Sequence, residues 1–377
     1  MSRTRLATGA PPATLRVTDL TADLLDGVAG LLVAATVHRA ALAGRATDPA
    51  DRSATALRAA ARAVVEPALD DADRFCLVAL CGPGGPGGED VVGVLTGLVT
   101  RLTPEDAGYT YLPPRHALAP LSGWAVRDGS DPAVLATLWE VARSRSAALG
   151  LDRLTVQVLD ADWPAMGHWR TLGLRPDTAL ACRSTAVPGP VGPSSPTIRP
   201  AVPADLESVV DLALEEQIYH ARHTGSGMAA DQSRDTVAAV SEAWLDPDAP
   251  EETERAFVAE APDGTLIGVT TVHTLRVPDT VLSARVLPRR HGYIGLTCVS
   301  APWRGRGVGR ALTGRALDWL RALPDPTAFT GLHYVTDNVT SAPFWSGLGF
   351  ASVLTHLTDA APHHPHPPQP SARRTTR

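Results

Sequence analysis

Apolar and polar positions divide the chain into short strands and amphipathic helices that occur twice in the same order. In the first half, strands are predicted at 14–17, 75–81, 91–99, 121–126 and 153–159, and helices at 22–43, 52–65, 132–149 and 164–172. In the second half, strands are predicted at 197–200, 256–260, 265–270, 293–299 and 332–335, and a helix at 310–323. Each half fits the order β-α-α-β-β-β-α-β-α-β, which indicates an α/β fold class with a mixed sheet.

Landmark residues support a tandem duplication. Asp162, Trp169 and Leu172 lie 176 residues before Asn338, Trp345 and Leu348. Several landmarks kept in order at one offset predict a repeated unit of roughly 180 residues. The predicted parts are a first domain at 1–186, a Pro-, Gly- and Ser-rich linker at 187–196, a second domain at 197–360 and a disordered tail at 361–377.

Composition narrows the class of protein. A chain of 377 residues with 44% hydrophobic and 20% charged residues is typical of two globular domains. A net charge of -6 argues against general nucleic-acid binding. The four cysteines form no CxxC motif, so neither a metal site nor a disulfide framework is expected. The start lacks the apolar core of a signal peptide, and charges interrupt the apolar run near 24–43, so we expect a cytoplasmic protein without membrane segments.

A glycine-rich turn joins the predicted strand 293–299 to the predicted helix 310–323. Unpaired backbone N–H groups and the helix dipole make such a turn suited to anions. Arg304, Arg306 and Arg310 add positive charge. The turn therefore predicts a pyrophosphate site, and the alternative is an ordinary glycine-rich turn.

A second motif makes the first one specific. Residues 304–309 have the form R-x-x-G-x-G, and residues 338–350, after the strand 332–335, read NVTSAPFWSGLGF. Together, in their strand–loop–helix setting, the two motifs resemble the GNAT superfamily of acyl-CoA-dependent N-acyltransferases. The resemblance implies two tandem GNAT-like domains, each a mostly antiparallel sheet flanked by helices with a splayed central strand pair. It covers the second half by motif and the first half by element order only.

The resemblance implies acetyl-CoA as co-substrate and assigns its contacts. Backbone N–H groups of the turn would bind the pyrophosphate, a free strand edge would pair with the pantetheine arm, and an amide and the following helix would flank that arm. The implied donor residues are Cys298, Val299, Arg304, Gly305, Arg306, Gly307, Val308, Gly309, Arg310, Asn338, Phe344 and Trp345. Cys298 is interpreted as a small buried residue, since no neighbouring base activates it as a nucleophile.

The resemblance leaves the proton-transfer groups open. Trp345 stands where many family members have a tyrosine that protonates the departing thiolate, so water, Tyr334 or no dedicated acid all remain possible. Tyr293 is the counterpart of a glutamate base in the histone-modifying branch, and a structural tyrosine is the alternative. Glu215, Glu216 and Tyr219, together with His220 and His223, lie where the family builds its acceptor pocket; they either bind a cationic acceptor or form a solvated helix face.

The first half has lost the donor motif. Residues 127–134 contain one glycine, and Asp128 and Asp131 would repel a pyrophosphate. Asp162 replaces the amide of Asn338. We therefore predict a degenerate first domain that does not bind coenzyme A in the usual way and that shapes the acceptor site, supports the second domain or binds an effector.

These observations predict an N-acetyltransferase acting on a primary amine of a small molecule, without a metal, as a monomer or homodimer. The alternatives are a non-catalytic acyl-CoA sensor, a protein or peptide N-acetyltransferase and a nucleotide-binding module.

Overall fold

The computed structural model describes residues 14–44, 53–82, 89–190, 196–246, 248–278 and 280–359. The elements of the first repeat are β1 (Thr14–Asp19), α1 (Leu25–Leu42), α2 (Ala54–Val65), β2 (Arg74–Gly82), β3 (Asp90–Arg101), β4 (Arg115–Ala119), β5 (Trp124–Val126), α3 (Ala133–Ala148), β6 (Arg153–Leu159), α4 (Trp163–Thr171) and β7 (Arg175–Ser184). Those of the second are β8 (Thr197–Pro200), α5 (Leu206–His223), α6 (Arg234–Glu242), β9 (Arg255–Glu260), β10 (Leu266–Arg276), β11 (Arg290–Val299), α7 (Val308–Ala322), β12 (Phe329–Val335), α8 (Ser341–Gly347) and β13 (Ala351–Thr358). The predicted order is present in both repeats when β4 and β5 are counted as one interrupted strand.

The strand predicted at 121–126 is only half present. Leu121–Gly123 forms a 3-10 turn, and the extended backbone resumes in β5. The preceding residue, Pro120, has no N–H to donate to a strand ladder. As a result β4 pairs with β3 and β6, whereas β5 pairs with β3.

The strands form one 13-stranded sheet in the order β1-β2-β3-β4-β6-β13-β7-β12-β11-β10-β9-β8, with β5 beside β3. Among the strand pairs of the described residues, only β4–β6 and β11–β12 are parallel. The last strands of the two repeats are exchanged, because β13 pairs with β6 of the first repeat and β7 pairs with β12 of the second. The two exchanged strands also pair with each other. Each repeat therefore completes its sheet with a strand from the other.

The hydrophobic cores follow this exchange. Leu357 of β13 is fully buried in the apolar cluster of the first repeat, together with Val156 and Trp169. Ala181 of β7 belongs to the cluster of the second repeat, together with Leu317. Helices cover both faces of the sheet. Successive residues of a strand point to opposite faces, and the residues of β2 pack alternately on α3 and on the pair α1 and α2.

Part of the predicted linker is packed on the second repeat. Gly189 approaches the backbone of Gly314 in α7 so closely that a Cβ on Gly189 would lie 2.9 Å from it. Arg183 donates hydrogen bonds to the carbonyl oxygens of Leu348 at 2.8 Å and Pro188 at 3.1 Å. The rest of the linker, at 191–195, and the predicted disordered tail at 361–377 lie outside the described residues.

One helical segment, Ala22–Leu42, is long and apolar enough to cross a membrane, with a mean hydropathy of 1.3. In this structure its Val28 and Leu32 are buried against α2 and β2. Core helices of soluble proteins meet the same criterion, so this segment is weak evidence for a membrane span.

Candidate active site

The parallel strands β11 and β12 separate soon after they meet. Gly292 pairs with Thr330 and Tyr293 pairs with Gly331, and no further pair joins these two strands, both of which are described in full. The corresponding strands of the first repeat, β4 and β6, keep four consecutive pairs. The second repeat therefore contains the predicted splay, and the edge of β11 up to Val299 has no neighbouring strand on that side.

The turn after β11 presents open backbone N–H groups. Gly305 and Gly307 have φ angles of 75° and 82°, which favour glycine. The N–H of Ala311 is the first to bond back into the helix, to the carbonyl of Gly307 at 3.1 Å, and no N–H from 305 to 310 donates to an acceptor among the described residues. A Cβ on Gly309 would lie 3.3 Å from the Phe344 ring. Backbone and space thus fit a pyrophosphate.

Two of the predicted arginines lie on the open side of this turn. The side chains of Arg306 and Arg310 are exposed, and the Arg306 guanidinium lies 5.2 Å from the Trp303 ring centre. Val308 is buried at the start of α7 and anchors the turn to the core. Both guanidinium groups therefore remain accessible to an anion.

Arg304 instead contacts the end of β11 and α5. It donates to the Val299 carbonyl at 2.8 Å and to Glu215 at 3.0 Å, and it lies over the Tyr219 ring at 5.1 Å. Glu215 also accepts the N–H of Ala301 at 3.3 Å. The structure thus places Glu215 and Tyr219, predicted for the acceptor, beside the donor turn.

The second motif is held by capping and packing. The Asn338 Oδ1 accepts the N–H of Thr340 at 3.0 Å, so the Nδ2 amide is its donor for other contacts. Phe344 lies beside the turn, whereas Trp345 is only 7% exposed and packs edge to face on Phe344. A buried indole is in no position to protonate a thiolate in the splay.

Cys298 and Tyr334 occupy apolar surroundings. Cys298 is buried, and burial raises the pKa of its thiol well above the usual range, which keeps it unreactive. Burial, with a contribution from Asp160, also raises the pKa of Tyr334. Tyr334 follows His333 on β12 and so points to the opposite face of the sheet.

A polar cleft begins where β11 and β12 separate. The Tyr293 hydroxyl lies 2.7 Å from the His333 Nδ1, and the His273 ring lies 5.4 Å from the Tyr293 ring. His333 and Tyr111 are exposed, yet desolvation lowers the pKa of His333 to about 4 and raises that of Tyr111. We refer to these polar side chains together as the cleft. Burial also raises the pKa of Tyr293.

The polar side chains continue across the exchanged strands. The His333 ring lies 5.6 Å from the His356 ring on β13, and the His356 Nε2 lies 3.0 Å from the Gln157 Nε2 on β6. Burial lowers the pKa of His356 to about 3, and nearby His333 and His116 add to this effect. His333, His356 and Gln157 thus connect the cleft of the second repeat to the first repeat.

Glu254 lies at a β-bulge beside the cleft. Thr271 on β10 and Trp244 donate hydrogen bonds to its carboxylate, and a Cβ on Gly295 would overlap that carboxylate. Burial raises the pKa of Glu254, although both hydrogen bonds oppose the rise. The His273 Nδ1 lies 4.0 Å away.

Glu216 and His220 pair on α5. The Glu216 carboxylate lies 2.8 Å from the His220 Nε2, one helical turn away. Burial alone would lower the pKa of His220, but the hydrogen bond and charge of Glu216 raise it on balance. The His220 Nδ1 is buried without a hydrogen-bond partner among the described residues.

The comparisons with known proteins assign a family to this region. Residues 225–350 match the model of the acetyltransferase (GNAT) family. This segment is a GNAT domain. No curated protein matches the chain.

Solved structures extend the likeness beyond the matched segment. A GCN5-related N-acetyltransferase from Sphaerobacter thermophilus is 16% identical, aligns over 92% of this chain and 95% of its own, and has a TM-score of 0.52. A tandem GNAT protein from the clavulanic acid biosynthesis pathway is 17% identical over 92% and 98%, with a TM-score of 0.45. A GCN5-related N-acetyltransferase from Kribbella flavida is 17% identical over 73% and 90%, with a TM-score of 0.42. The first shows that the shared fold spans both repeats.

The first repeat clamps the start of the GNAT domain. Its loop at 104–111 holds the segment at 231–236, between α5 and α6. The Tyr109 hydroxyl donates to Asp231 at 2.8 Å, and the Ser233 N–H donates to the Pro104 carbonyl at 3.0 Å. Tyr111, at the end of this loop, lines a small cavity together with Trp244, which bonds to Glu254. Burial raises the pKa of Tyr111, and Glu254 and Glu216 add to the rise. The first repeat thus packs against the side of the GNAT domain where α6 begins.

In the first repeat, side chains fill the position that corresponds to the splay between β11 and β12. The Trp124 indole donates to the Gln157 carbonyl at 2.8 Å, on the edge of β6 that follows its last pair with β4. The buried Arg39 guanidinium lies 3.9 Å from the Trp124 ring centre and donates to the Trp124 carbonyl at 3.0 Å. Asp162 caps α4 through the Ala165 N–H at 3.2 Å. This packing supports the prediction that the first repeat lacks a donor site.

Sequence reasoning missed four residues of the cleft, namely Tyr111, Glu254, His273 and His333. His333 is the one that the sequence could have indicated. It is a polar residue in an otherwise apolar strand, and the polar residue Gln157 lies 176 positions before it in the corresponding strand of the first repeat. No group of three or more His, Cys, Asp or Glu side chains suited to a metal ion occurs in the described part of the chain.

Proposed function

We propose that the chain is an acyl-CoA-dependent N-acyltransferase that transfers an acetyl group from acetyl-CoA to a primary amine of a small molecule. One observation carries this proposal. The free edge of β11 leads from the open turn at 305–310 to the cleft of Tyr293 and His333. A donor site and an acceptor site therefore meet where the two strands separate.

Donor binding uses the turn, the strand edge and one amide. The open N–H groups with Arg306 and Arg310 hold the pyrophosphate, and the free edge of β11 pairs with the pantetheine amides as it would with another strand. From Ser300 to Gly295 an extended chain covers about 16 Å, so the acyl end of the arm reaches the cleft. The Asn338 Nδ2 donates to the arm.

The reaction is direct attack of the amine nitrogen on the thioester carbon. Backbone N–H groups on the free edge of β11 stabilise the negative charge that develops on the carbonyl oxygen. The new C–N bond forms and the C–S bond breaks. Because Trp345 is buried and Tyr334 lies on the opposite face from His333, we assign protonation of the departing thiolate to water.

A small acceptor fits the walls of the cleft better than a folded protein does. Loop 104–111 of the first repeat closes the side between α5 and α6, and Tyr111 lines a small cavity with Trp244, which bonds to Glu254. A lysine on a folded protein would have to enter past this clamp, whereas a small amine would not. This closure supports the small-molecule proposal over a protein N-acetyltransferase.

Coenzyme A release from acetyl-CoA by the full-length protein tests the proposal. The acceptors are polyamines, amino sugars, arylalkylamines, amino acids and short peptides. Turnover with small amines supports the proposal, and turnover with peptides alone would replace it with peptide acetylation. Tight acetyl-CoA binding in calorimetry without any turnover would instead show a sensor, the alternative that the buried Trp345 favours. Absence of acetyl-CoA binding would refute the donor site.

A further inference from the structure

We propose that Glu254 is the general base, whose carboxylate takes a proton from the acceptor ammonium where β11 and β12 separate. This inference rests on the proposed function and names the residue that activates the amine. Glu254 precedes β9 and lies outside both sequence motifs, so the donor signature alone does not indicate it.

The strand register places this carboxylate at the reacting end of the splay. β10 and β11 pair at Thr270–Thr297 and again at Val272–Ile294, so Thr271 alone faces the two residues Gly295 and Leu296. This two-against-one arrangement is a β-bulge, and such bulges redirect side chains near active sites. Because Gly295 has no Cβ, the Glu254 carboxylate can lie directly against the strand there.

Hydrogen bonds fix the orientation of the carboxylate and leave part of it open. The Thr271 hydroxyl accepts the N–H of Leu296 at 2.8 Å and donates to Glu254. Trp244 supplies a second donor. An ionised carboxylate has about four acceptor positions, so it retains capacity for an ammonium group.

Charge pairing distinguishes Glu254 from its neighbours. Glu251 forms an ion pair with Arg290, and Glu252 forms one with Arg276. No arginine pairs with Glu254 among the described residues, and the only histidine within ion-pair range of it there is His273, whose Nδ1 lies 4.0 Å away. A partly buried carboxylate without a fixed cation is suited to receive a cationic substrate.

The surroundings also adjust its basicity. Of the titratable groups around it, His273 on β10 lies 4.0 Å away, and the charge of Glu254 contributes to the raised pKa values of Tyr293 on β11 and Tyr111 from the first repeat. Burial raises the pKa of Glu254, and His273 is neutral at pH 7 because burial lowers its pKa to about 4. A base with a pKa closer to neutral accepts a proton from an ammonium more readily.

The protons balance across the reaction. An acceptor ammonium carries three, of which one passes to Glu254 and then to water. The neutral amine attacks, and the second proton leaves the nitrogen as the C–S bond breaks. The departing thiolate takes up one proton from water, and the third proton stays on the amide product.

Glu254→Gln tests the assignment, with Glu252→Gln as the matched control outside the cleft. With an alkylamine at pH 7, Glu254→Gln should lower kcat by about 10²- to 10⁴-fold, while Glu252→Gln should leave it unchanged. Acetyl-CoA affinity in calorimetry should stay within about twofold for both variants, since general bases act after donor binding. Methoxyamine is neutral at pH 7 and needs no initial deprotonation, so Glu254→Gln should lose far less activity with it.

Three results would overturn the assignment. These are wild-type kcat in Glu254→Gln, equal losses with alkylamine and methoxyamine, or lost acetyl-CoA binding, which would indicate a structural role. If Glu254→Gln does not fold, Trp244→Phe gives the answer: loss of one donor raises the pKa of Glu254, so the acid limb of kcat/KM should move to higher pH. An unmoved limb contradicts the proposal. Absence of turnover in the wild-type protein refutes the proposed function itself and the base with it.

Discussion

Leu357→Ala tests whether the exchanged strands join both repeats into one folding unit. Leu357 is fully buried in the core of the first repeat, although β13 is the last strand of the second. The substitution removes three carbons, which corresponds to about 2.4 kcal/mol of lost transfer free energy. A cavity that does not collapse raises the cost, so we expect a loss of about 3 kcal/mol in the free energy of unfolding.

Urea unfolding of the full-length protein measures this loss, and hydrogen exchange locates it. We expect one transition and lower protection in both repeats, because β13 lies between β6 and β7. Val339→Ala is the control: Val339 is 83% exposed, so its loss should stay within about 0.5 kcal/mol. Two separate transitions, or lower protection confined to the second repeat, would refute the reasoning.

Three further predictions concern the donor turn, pH and the acceptor cleft. Gly309→Val should weaken acetyl-CoA binding in calorimetry by at least about tenfold, because its side chain would meet the Phe344 ring; unchanged affinity would contradict the assigned turn. Burial lowers the pKa of His273 to about 4 and of His356 to about 3, so the unfolded chain binds protons first as the pH falls below about 6.5. Each histidine should then lower the free energy of unfolding by about 1.4 kcal/mol per pH unit, down to its pKa in the folded protein. His356→Gln should therefore flatten the dependence of the urea midpoint on pH. An identical slope in this variant would argue against His356 as a cause. Tyr111→Ala should raise the KM for the amine and leave acetyl-CoA affinity unchanged, with the exposed Leu112→Ala as control; an unaltered KM would remove Tyr111 from the cleft.

The candidate donor site is visible in the sequence because its chemistry is local in sequence. A strand, a glycine-rich turn and a helix start follow one another within residues 293–323, so the spacing of Gly305, Gly307 and Gly309 is visible without the fold. The turn presents backbone N–H groups, whose positions depend on positive φ angles. Glycine adopts these angles readily, so the glycine residues in the sequence indicate where they occur. For the same reason the missing glycines of the first repeat lead to the prediction that it does not bind coenzyme A in the usual way.

The acceptor cleft could not be predicted because its residues are distant in sequence. Tyr111 comes from the first repeat, Glu254 precedes β9 and His333 lies on β12. Their meeting depends on a bulge in β11 and on loop 104–111, neither of which has a short motif. The resemblance gives Glu215 an acceptor role that stays a prediction, and in the structure its carboxylate also bonds to Ala301 and Arg304 at the glycine-rich turn, a contact that no short motif indicates.

The exchange of final strands also shows how the first repeat, which we predict to lack a donor site, contributes to the GNAT domain. Removing the first repeat would take β7 away from β12 and leave the GNAT domain with an open sheet edge, and it would remove loop 104–111 from the acceptor side. The filled splay around Trp124 affects neither contribution, because β7 and the loop lie elsewhere in the repeat. The predicted absence of a donor site from the first repeat is therefore compatible with the contacts that its strand β7 and its loop 104–111 make to the GNAT domain.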